Sequence, residues 1–330
     1  MFKRSLVILL VLGLIFVIGC SKDNTNEPTE VNEFELLTEL GDQYFSTYVT
    51  PAGNPVNVKI SDVFPILADD DATNDPFIID YRSETDYNAG HIKGSVNISL
   101  GSLPAKIEDG TIPTDKTILN VCYTGQTASY ATSLLNLLGY DAQNLLFGVC
   151  GIDTTLAGGT NWLKQTAEDE FAGALVSEET KAEKEYEFVS IKTGAEKAED
   201  VLLARMKEML PSGWGKIAAA DVFASPDDYF IVNYWPKAEY TDPGHIPTAV
   251  CFEPKNAFKA DERLKNLPTD KTIVIYCYTG QTSAQVTAYL QMLGYDAKSL
   301  LYGFNGFAYD KLAGHKYAAP TQDYTAIIEK

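Results

Sequence analysis

Residues 122–127 read Cys-Tyr-Thr-Gly-Gln-Thr, and the same six residues return at 277–282. Each hexapeptide follows a run rich in β-branched residues, Thr-Ile-Leu-Asn-Val at 117–121 and Thr-Ile-Val-Ile-Tyr at 272–276. Each precedes a segment with apolar residues at helical spacing, which ends at Gly139 or Gly294. The pattern predicts a buried strand, a tight turn that carries a cysteine, and a helix.

Cys122 and Cys277 are therefore expected at the N-termini of helices. Unpaired backbone N–H groups and the helix macrodipole favour negative charge at such a position. Because the thiolate is the nucleophilic form of cysteine, the position predicts a nucleophile. We expect the pKa of Cys122 to lie below the roughly 8.5 of a free thiol.

The repetition extends over whole domains. Residues 113–148 align with 268–303 without a gap and are identical at 22 of 36 positions. Upstream, Phe-Ile-Ile-Asp-Tyr at 77–81 corresponds to Phe-Ile-Val-Asn-Tyr at 230–234, and Gly-His-Ile occurs at both 90–92 and 244–246. A repeat of about 155 residues is much longer than a solenoid unit. Each copy is therefore expected to be a domain with its own core.

Strand-like and helix-like segments alternate in both copies. We predict strands at 77–81, 95–98, 117–121 and 144–147, a short helix or turn at 83–89, and helices at 103–108 and 128–138, with the same order in copy 2. The fold class is predicted as α/β, with two tandem domains that each hold a doubly wound, mainly parallel sheet with helices on both faces. The predicted domains are 34–165 and 198–330. The charged linker between them, 166–197, is expected to be a solvated helix.

The N-terminus has the features of an export signal. Lys3 and Arg4 precede thirteen apolar or glycine residues at 6–18, and the run ends Val-Ile-Gly-Cys. This ending resembles the lipobox of bacterial lipoproteins, so we predict a signal peptide at 1–19, lipidation of Cys20 and a flexible tether at 20–33. The protein is then expected in the bacterial cell envelope, in the outer membrane if the cell has two membranes. An uncleaved anchor or an ordinary signal peptide stays open.

Composition narrows the class of partner. The net charge of −19 argues against nucleic acid, which needs clustered Lys and Arg. No cysteine and histidine spacing resembles a zinc site, and no glycine pattern resembles a nucleotide fingerprint, so we expect neither metal nor cofactor. For Cys150 and Cys251 the sequence leaves open buried free thiols or disulfide partners.

Four ordered motifs together resemble a rhodanese domain. They are Asp-Tyr-Arg at 80–82, Tyr-Asn-Ala-Gly-His-Ile-Lys-Gly-Ser at 87–95, the cysteine loop, and Leu-Leu-Phe-Gly at 145–148. From about Phe34 onward the chain resembles a tandem rhodanese-like sulfurtransferase lipoprotein. The resemblance implies that Cys122 and Cys277 take sulfane sulfur from a small sulfur or selenium donor, carry it as a persulfide and pass it to a thiol or another nucleophilic acceptor.

The resemblance also implies roles around the two cysteines. Backbone N–H groups of the loops are expected to hold the persulfide or the anionic part of a donor. Asp80 and Arg82 are expected to hold the shape of the loop through charge-assisted hydrogen bonds. His91 and His245 are expected to be structural histidines rather than general bases. The expected loop residues are Tyr123, Thr124, Gly125, Gln126, Thr127 and Ala128 in copy 1 and Tyr278, Thr279, Gly280, Gln281, Thr282 and Ser283 in copy 2.

Two details of the loops restrict the chemistry. Thr127 is a candidate N-cap for the helix that follows it. Neither loop contains Lys or Arg, which argues against the dianion thiosulfate as donor and favours polysulfide, a low-molecular-weight persulfide or a selenium analogue. A phosphatase or arsenate reductase would need an arginine six residues after the cysteine, where the chain has Ala128 and Ser283.

Copy 2 departs from the motif beside its loop. Asn233 stands where copy 1 has Asp80, and Trp235 stands where it has Arg82, so the supporting charge pair is missing. The loop itself is intact. A non-catalytic rhodanese-fold binding or redox-sensing module of an extracytoplasmic assembly therefore remains the alternative, and no protein partner is predicted.

Overall fold

The computed structural model describes residues 31–69, 71–166 and 169–330. The predicted signal peptide, Cys20 and nearly all of the tether lie outside these residues. Each copy folds around its own five-stranded parallel sheet. The predicted fold class, α/β with two tandem and mainly parallel sheets, is confirmed. None of the helices within the described ranges is long and apolar enough to cross a membrane.

Copy 1 alternates short strands and helices. Its helices are α1 (Glu33–Thr47), α2 (Ile60–Leu67), α3 (Glu84–Ala89), α4 (Leu103–Glu108), α5 (Gln126–Leu137) and α6 (Trp162–Gln165). Its strands are β1 (Asn57–Val58), β2 (Phe77–Asp80), β3 (His91–Ile92), β4 (Val96–Asn97), β5 (Ile118–Val121) and β6 (Ala142–Leu145). The sheet order is β1-β6-β5-β2-β4, and β5 is buried at every position, as expected of a central strand covered on both faces.

Copy 2 repeats this topology. Its helices are α7 (Ala198–Met209), α8 (Ala219–Ala224), α9 (Lys237–Thr241) and α10 (Gln281–Met292). Its strands are β7 (Lys216–Ile217), β8 (Phe230–Asn233), β9 (Val250–Cys251), β10 (Ile273–Tyr276) and β11 (Ala297–Leu300). The order β7-β11-β10-β8-β9 places β10 and the loop after it where copy 1 places β5 and its loop.

The copies meet through the helices that follow the cysteine loops. α5 and α10 pack against each other, and one apolar cluster runs through both copies. Polar side chains add cross-links between the copies: the amide of Gln285 on α10 donates to Asn57 at 3.2 Å and to Ser129 on α5 at 3.3 Å. The loops at the N-termini of α5 and α10 are therefore brought together at the interface.

The segment predicted as a solvated connecting helix forms no α-helix in its described part, residues 169–197, where a short 3-10 turn at Ala172–Ala174 precedes chain without regular structure. Val176 pairs antiparallel with His245, and the N–H of Tyr186 donates to the carbonyl of Lys265 at 2.8 Å. The helix prediction is wrong for a physical reason. The Glu, Lys and Ala composition favours a helix locally, but along this segment backbone groups find partners on the surface of copy 2.

The C-terminal tail makes the reciprocal crossing. Its strand β12 (Ile328–Glu329) pairs antiparallel with β3 of copy 1, and Lys93 beside β3 donates to the carbonyl of Ala326 at 2.6 Å. The C-terminal extension of each copy thus lies against the Gly-His-Ile turn of the other.

Candidate active site

Cys122 lies between the end of β5 and the start of α5. Its sulfur accepts hydrogen bonds from the backbone N–H groups of Gly125, at 3.2 Å, and Ala128, at 3.4 Å. Gly125 precedes the helix with φ +81°, in the left-handed region that glycine enters without strain. The loop therefore directs backbone donors onto the sulfur, an arrangement that stabilises negative charge.

Burial nevertheless dominates the ionisation of this thiol. The Cys122 residue is 2% exposed, and burial raises its pKa above the ordinary value. The N–H groups of Ala128, Thr124 and Gly125 lower the pKa, and the nearby Asp80 carboxylate raises it. The expectation of a pKa below that of a free thiol is wrong, because removal from water disfavours the thiolate more than the loop donors favour it.

The carbonyl of Thr124 is held from outside the loop. It accepts hydrogen bonds from the indole N–H of Trp162 at 3.1 Å and from the side-chain amide of Gln281 at 2.9 Å. The Thr124 hydroxyl accepts from the Gln126 amide at 3.0 Å. Gln281 belongs to the loop of copy 2, so one copy contributes to the loop of the other.

The two loops contact each other reciprocally. The side-chain amide oxygen of Gln126 accepts the backbone N–H of Tyr302, after β11 in copy 2, at 2.7 Å. A Cβ on Gly125 would lie 2.5 Å from the Gln281 amide nitrogen, and a Cβ on Gly280 would lie 2.5 Å from the Gln126 oxygen. Both glycines therefore permit the close approach of a glutamine from the other copy.

Thr127 does not cap the helix. α5 begins at Gln126 with Gly125 at the N-cap, so Thr127 already lies within the first turn. Its hydroxyl instead accepts a hydrogen bond from the indole of Trp214 in copy 2, at 3.2 Å. The N-cap prediction is wrong because the left-handed glycine, and not the threonine, turns the chain into the helix.

Tyr123 faces the outer side of the loop and is half-buried. Its hydroxyl donates to the Asp86 carboxylate at 2.5 Å and accepts the backbone N–H of Ser83 at 3.0 Å. The hydrogen bond from Tyr123 and another from the Ser83 hydroxyl lower the pKa of Asp86. These bonds attach the loop to the start of α3.

Asp80 and Arg82 form a buried ion pair beside the loop. The guanidinium donates to both carboxylate oxygens, to the carbonyl of Gly90 at 2.7 Å and to the carbonyl of Leu156 at 3.1 Å. Among the described residues, no hydrogen bond joins this pair to loop residues 122–128. The pair therefore holds the segments around the loop together, whereas the sequence predicted that it shapes the loop itself.

The two histidines hold turns and crossing segments. His91 contacts the carbonyl of Tyr87 at 2.9 Å and the carboxylate of Glu329 at 3.1 Å. His245 contacts the backbone carbonyl of Tyr240 at 2.8 Å, and its imidazole stacks on the Tyr240 ring. Burial lowers the pKa of His245. Within the described part of the chain, neither imidazole hydrogen-bonds a cysteine sulfur.

Cys277 has a sparser set of donors. It is also 2% exposed, and its sulfur accepts the backbone N–H of Ser283 at 3.4 Å and contacts the Ser283 hydroxyl at 3.6 Å. Gly280 adopts φ +74° before α10, as Gly125 does before α5. The loop residues Tyr278, Thr279, Gln281 and Thr282 complete this second turn.

Apolar packing replaces the charge pair in copy 2. Trp235 is fully buried, with ring centroids 4.9 Å from those of Phe304 and Tyr278. Asn233 donates its side-chain amide to the hydroxyl of Tyr276 at 2.9 Å. The surroundings of the second loop are therefore held without an ion pair at these positions.

The remaining cysteines are buried and unpaired. Cys122, Cys150, Cys251 and Cys277 are all free thiols. Burial raises the pKa of Cys150 to about 11 and that of Cys251 to about 11. The described residues hold no cluster of histidine, cysteine and acidic side chains suited to a metal ion.

Sequence reasoning did not find Trp162, Trp214 or Tyr302 as neighbours of the first loop. Trp214 and Tyr302 reach the loop because the two copies pack against each other. Trp162 reaches it because the segment after β6 folds back over the loop. A usable signal existed for Trp162, because Tyr317 stands one repeat length later and stacks on it with centroids 5.3 Å apart.

Comparison with known families matches both copies. The sequence model of the rhodanese-like domain family matches residues 66–151 and 222–310, which together cover just over half of the chain. A search of curated proteins finds no match.

Solved structures of similar proteins include single domains and longer chains. A rhodanese-like domain protein from Staphylococcus aureus is 18% identical, covers 28% of this chain and 86% of its own, and gives a TM-score of 0.25. A thiosulfate sulfurtransferase from Pseudomonas aeruginosa is 15% identical over 88% of this chain and 49% of its own, with a TM-score of 0.30. Reduced CoADR-RHD from Bacillus anthracis is 28% identical over 33% of this chain and 17% of its own, with a TM-score of 0.26.

Proposed function

The chain belongs to the rhodanese-like domain family, and we propose that it is a sulfurtransferase that moves sulfane sulfur through a persulfide on Cys122. The observation that carries this proposal is the sulfur of a free cysteine, at a strand-to-helix turn, that receives the N–H groups of Gly125 and Ala128. Such donors would hold the negative charge of the thiolate and then of the persulfide.

The transfer balances without an external oxidant or reductant. The Cys122 thiolate attacks the outer sulfur of a persulfide donor, a new S–S bond forms, and the bond to the donor breaks so that the donor leaves as a thiolate. An acceptor thiolate then attacks the outer sulfur of the Cys122 persulfide. That step returns the Cys122 thiolate and leaves the sulfur on the acceptor.

The charges near the sulfur support a donor of low charge. The loop of copy 1 carries no Lys or Arg, and the Asp80 carboxylate acts on Cys122 in the direction that disfavours further negative charge. Polysulfide or a low-molecular-weight persulfide, or its selenium analogue, fits these surroundings better than thiosulfate. The proposed acceptor is a thiol or another small nucleophile.

We propose a second, weaker site at Cys277. Its loop has the same sequence, but its sulfur accepts the N–H of Ser283 and lacks a bond from Gly280 among the described hydrogen bonds. Fewer backbone donors would therefore hold the anionic sulfur of a persulfide there.

We further propose that the protein is anchored in the bacterial cell envelope by lipid on Cys20. The support is the sequence alone: a basic start, the apolar run at 6–18 and Val-Ile-Gly-Cys. Ser21 after the cysteine favours the outer membrane where the cell has two membranes.

Intact-protein mass spectrometry tests the activity. The protein is incubated with polysulfide and, separately, with thiosulfate, and we expect polysulfide to add one sulfur atom in a form that a thiol removes. The Cys122→Ser protein should lose most of this addition. Full sulfur loading and turnover in the Cys122→Ser/Cys277→Ser protein would disprove catalysis by the loop cysteines.

One observation favours a second candidate function, a non-catalytic binding or redox-sensing module. Both loop thiols are 2% exposed, and burial raises the pKa of Cys122. A thiol shielded in this way reacts slowly. The same mass spectrometry separates the two functions. A binding module would gain no sulfur. A redox sensor treated with peroxide would instead gain oxygen or form a disulfide between two of its cysteines.

A further inference from the structure

The peptide unit between Thr124 and Gly125 connects the outside of the first loop to its sulfur. Its carbonyl accepts the Trp162 indole at 3.1 Å and the Gln281 amide at 2.9 Å, and its N–H donates to the Cys122 sulfur at 3.2 Å. A trans peptide is planar, and its C=O and N–H point in opposite directions. Any group that fixes the carbonyl outside the loop therefore fixes where the N–H points inside it.

We propose that Gln281 of copy 2, together with Trp162, is a positioning residue for Cys122: by holding the Thr124 carbonyl it turns the Gly125 N–H onto the sulfur. This inference rests on the proposed function, because it explains how the reacting sulfur is prepared. It makes the site of copy 1 incomplete without copy 2. Within the described residues, no hydrogen bond joins either positioning residue to the sulfur itself.

Two donors on one carbonyl do more than orient it. A carbonyl that accepts hydrogen bonds polarises its peptide, and the N–H of the same peptide becomes a stronger donor. Both donors are buried: Trp162 is fully buried and Gln281 is 1% exposed. In a low-dielectric interior these bonds are not weakened by competing water.

Copy 2 supplies an internal comparison. Its loop has the same six residues, yet within the described residues no side chain donates to the carbonyl of Thr279. In this described part of the chain the N–H of Gly280 makes no hydrogen bond to the sulfur of Cys277, which accepts the backbone N–H of Ser283 and donates to the Ser283 hydroxyl. Tyr317, which occupies the repeat position of Trp162, sends its hydroxyl to the carbonyl of Cys150 instead. Where the carbonyl lacks its two donors, the N–H bond to sulfur is also missing.

The glycine in the first loop fits this role. Gly125 has φ +81°, and a Cβ there would lie 2.5 Å from the Gln281 amide nitrogen. A side chain at this position would displace Gln281 from the carbonyl. The glycine therefore permits both the turn and the approach of the positioning amide.

The test measures the ionisation of Cys122 in the whole chain. Cysteine is labelled with 13C at Cβ, and the Cys122 resonance is identified in the NMR spectrum by its absence from Cys122→Ser. Its chemical shift is followed with pH, and the midpoint of that titration is the pH at which half of the thiol is ionised. The other titratable groups that face this sulfur are Asp80 and Tyr81 at the end of β2, Cys150 after β6 and Tyr302 after β11, and all stay unchanged.

Gln281→Met keeps the length of the side chain and removes the amide donor. We expect it to raise the Cys122 midpoint by about one pH unit, since it weakens one charge-assisted hydrogen bond to the thiolate. Sulfur loading at pH 7 should slow about three- to fivefold, less than the loss of thiolate because a more basic thiolate is a better nucleophile. Trp162→Phe, which removes the other donor, should shift the midpoint in the same direction.

Gln285→Met is the matched control. Gln285 is a buried glutamine one turn further along α10, and it also donates across the interface, to Asn57 and Ser129. Loss of the Gln285 amide should lower the free energy of unfolding about as much as Gln281→Met does. It should leave the titration midpoint of Cys122 unchanged. Circular dichroism and thermal unfolding establish that each variant is folded. If Gln281→Met does not fold, Trp162→Phe is used for the test instead.

The outcomes separate the two proposals. An unchanged midpoint in folded Gln281→Met and Trp162→Phe overturns the positioning role, and so does an equal shift in Gln285→Met, which would indicate general loosening of the interface. If the wild-type protein gains no sulfur from any donor, the proposed function fails, while the midpoints still decide the role of Gln281.

Discussion

The guanidinium of Arg82 lies 2.7 Å from the carboxylate of Asp80, and both side chains are almost completely removed from solvent. Copy 2 has neither charge at these positions. Trp235 stands where copy 1 has Arg82, and its ring packs against the rings of Tyr278 and Phe304. One fold therefore supports the same loop in two ways. A buried ion pair is costly to break on one side only, because the remaining charge has no partner and little water.

Arg82→Met should lower the free energy of unfolding by about 3 kcal/mol, because it leaves the Asp80 carboxylate buried and unpaired. Adding Asp80→Asn should recover a substantial part of this loss, since the double variant removes both charges. Urea unfolding followed by circular dichroism measures both effects. A double variant less stable than Arg82→Met alone would contradict this account of the pair.

The two cysteine variants should differ in activity. Cys122→Ser should remove most of the sulfur loading and turnover, and Cys277→Ser should remove less, because two N–H groups reach the first sulfur and one reaches the second. Loading is measured by mass spectrometry of the intact protein at matched concentrations. Equal losses in the two variants would refute the asymmetry.

Reaction of Cys122 with iodoacetamide should be slow at pH 7 and should rise with pH past the roughly 8.5 of a free thiol. The sign follows from burial, which raises the pKa of this thiol and so keeps it protonated at neutral pH. Peptide mapping of the alkylated protein isolates Cys122 from the other cysteines. A rate that levels off below pH 8 would show that the loop donors prevail over burial.

Alkaline pH should destabilise the protein through its buried structural thiols. The pKa values of Cys150 and Cys251 are raised to about 11, so the folded state binds more protons than the unfolded state above about pH 8.5. Their contribution is fully present below about pH 8.5 and is lost as pH rises towards 11. The slope for each thiol is at most about 1.4 kcal/mol per pH unit.

Cys251→Ala should flatten this dependence between pH 8 and 9, below the pKa of about 10 that tyrosines have in the unfolded chain. Urea unfolding at several pH values compares the variant with the wild-type protein. An identical slope in both would mean that this thiol does not ionise on unfolding in that range.

Cys20→Ala should abolish incorporation of labelled fatty acid and either release the protein from the membrane fraction or leave an uncleaved precursor. A chain that starts at Ser21 should keep the proposed sulfurtransferase activity in solution. Lipid labelling that persists in the variant would rule out Cys20 as the anchor.

The parts of the fold that local sequence determines could be predicted. α4 has the predicted bounds, and the strand, turn and helix around each cysteine form where the β-branched run, the glycine and the apolar spacing indicate. Helix α1 was not predicted. Its exposed and buried residues reflect packing against copy 2, for example through Phe34 beside Tyr295, a contact that no local pattern contains.

The errors at the site have the same origin. The low pKa expected for Cys122 followed from the helix N-terminus alone, but the thiol is buried, and burial raises its pKa by more than the helix end lowers it. The linker was expected to be helical from its composition, but copy 2 offers partners for its backbone. Thr127 was expected as a cap, yet its hydroxyl is bound to Trp214 across the interface.

Because the two C-terminal extensions cross, cutting the chain between the copies would not by itself separate them. A protease that cut the exposed chain at Lys181 or Lys184 would sever the covalent connection between the copies. The fragments would stay together, because β12 remains on the edge of copy 1 and Val176 remains on copy 2. The nicked protein would run as one particle in size-exclusion chromatography and as two bands under denaturing conditions.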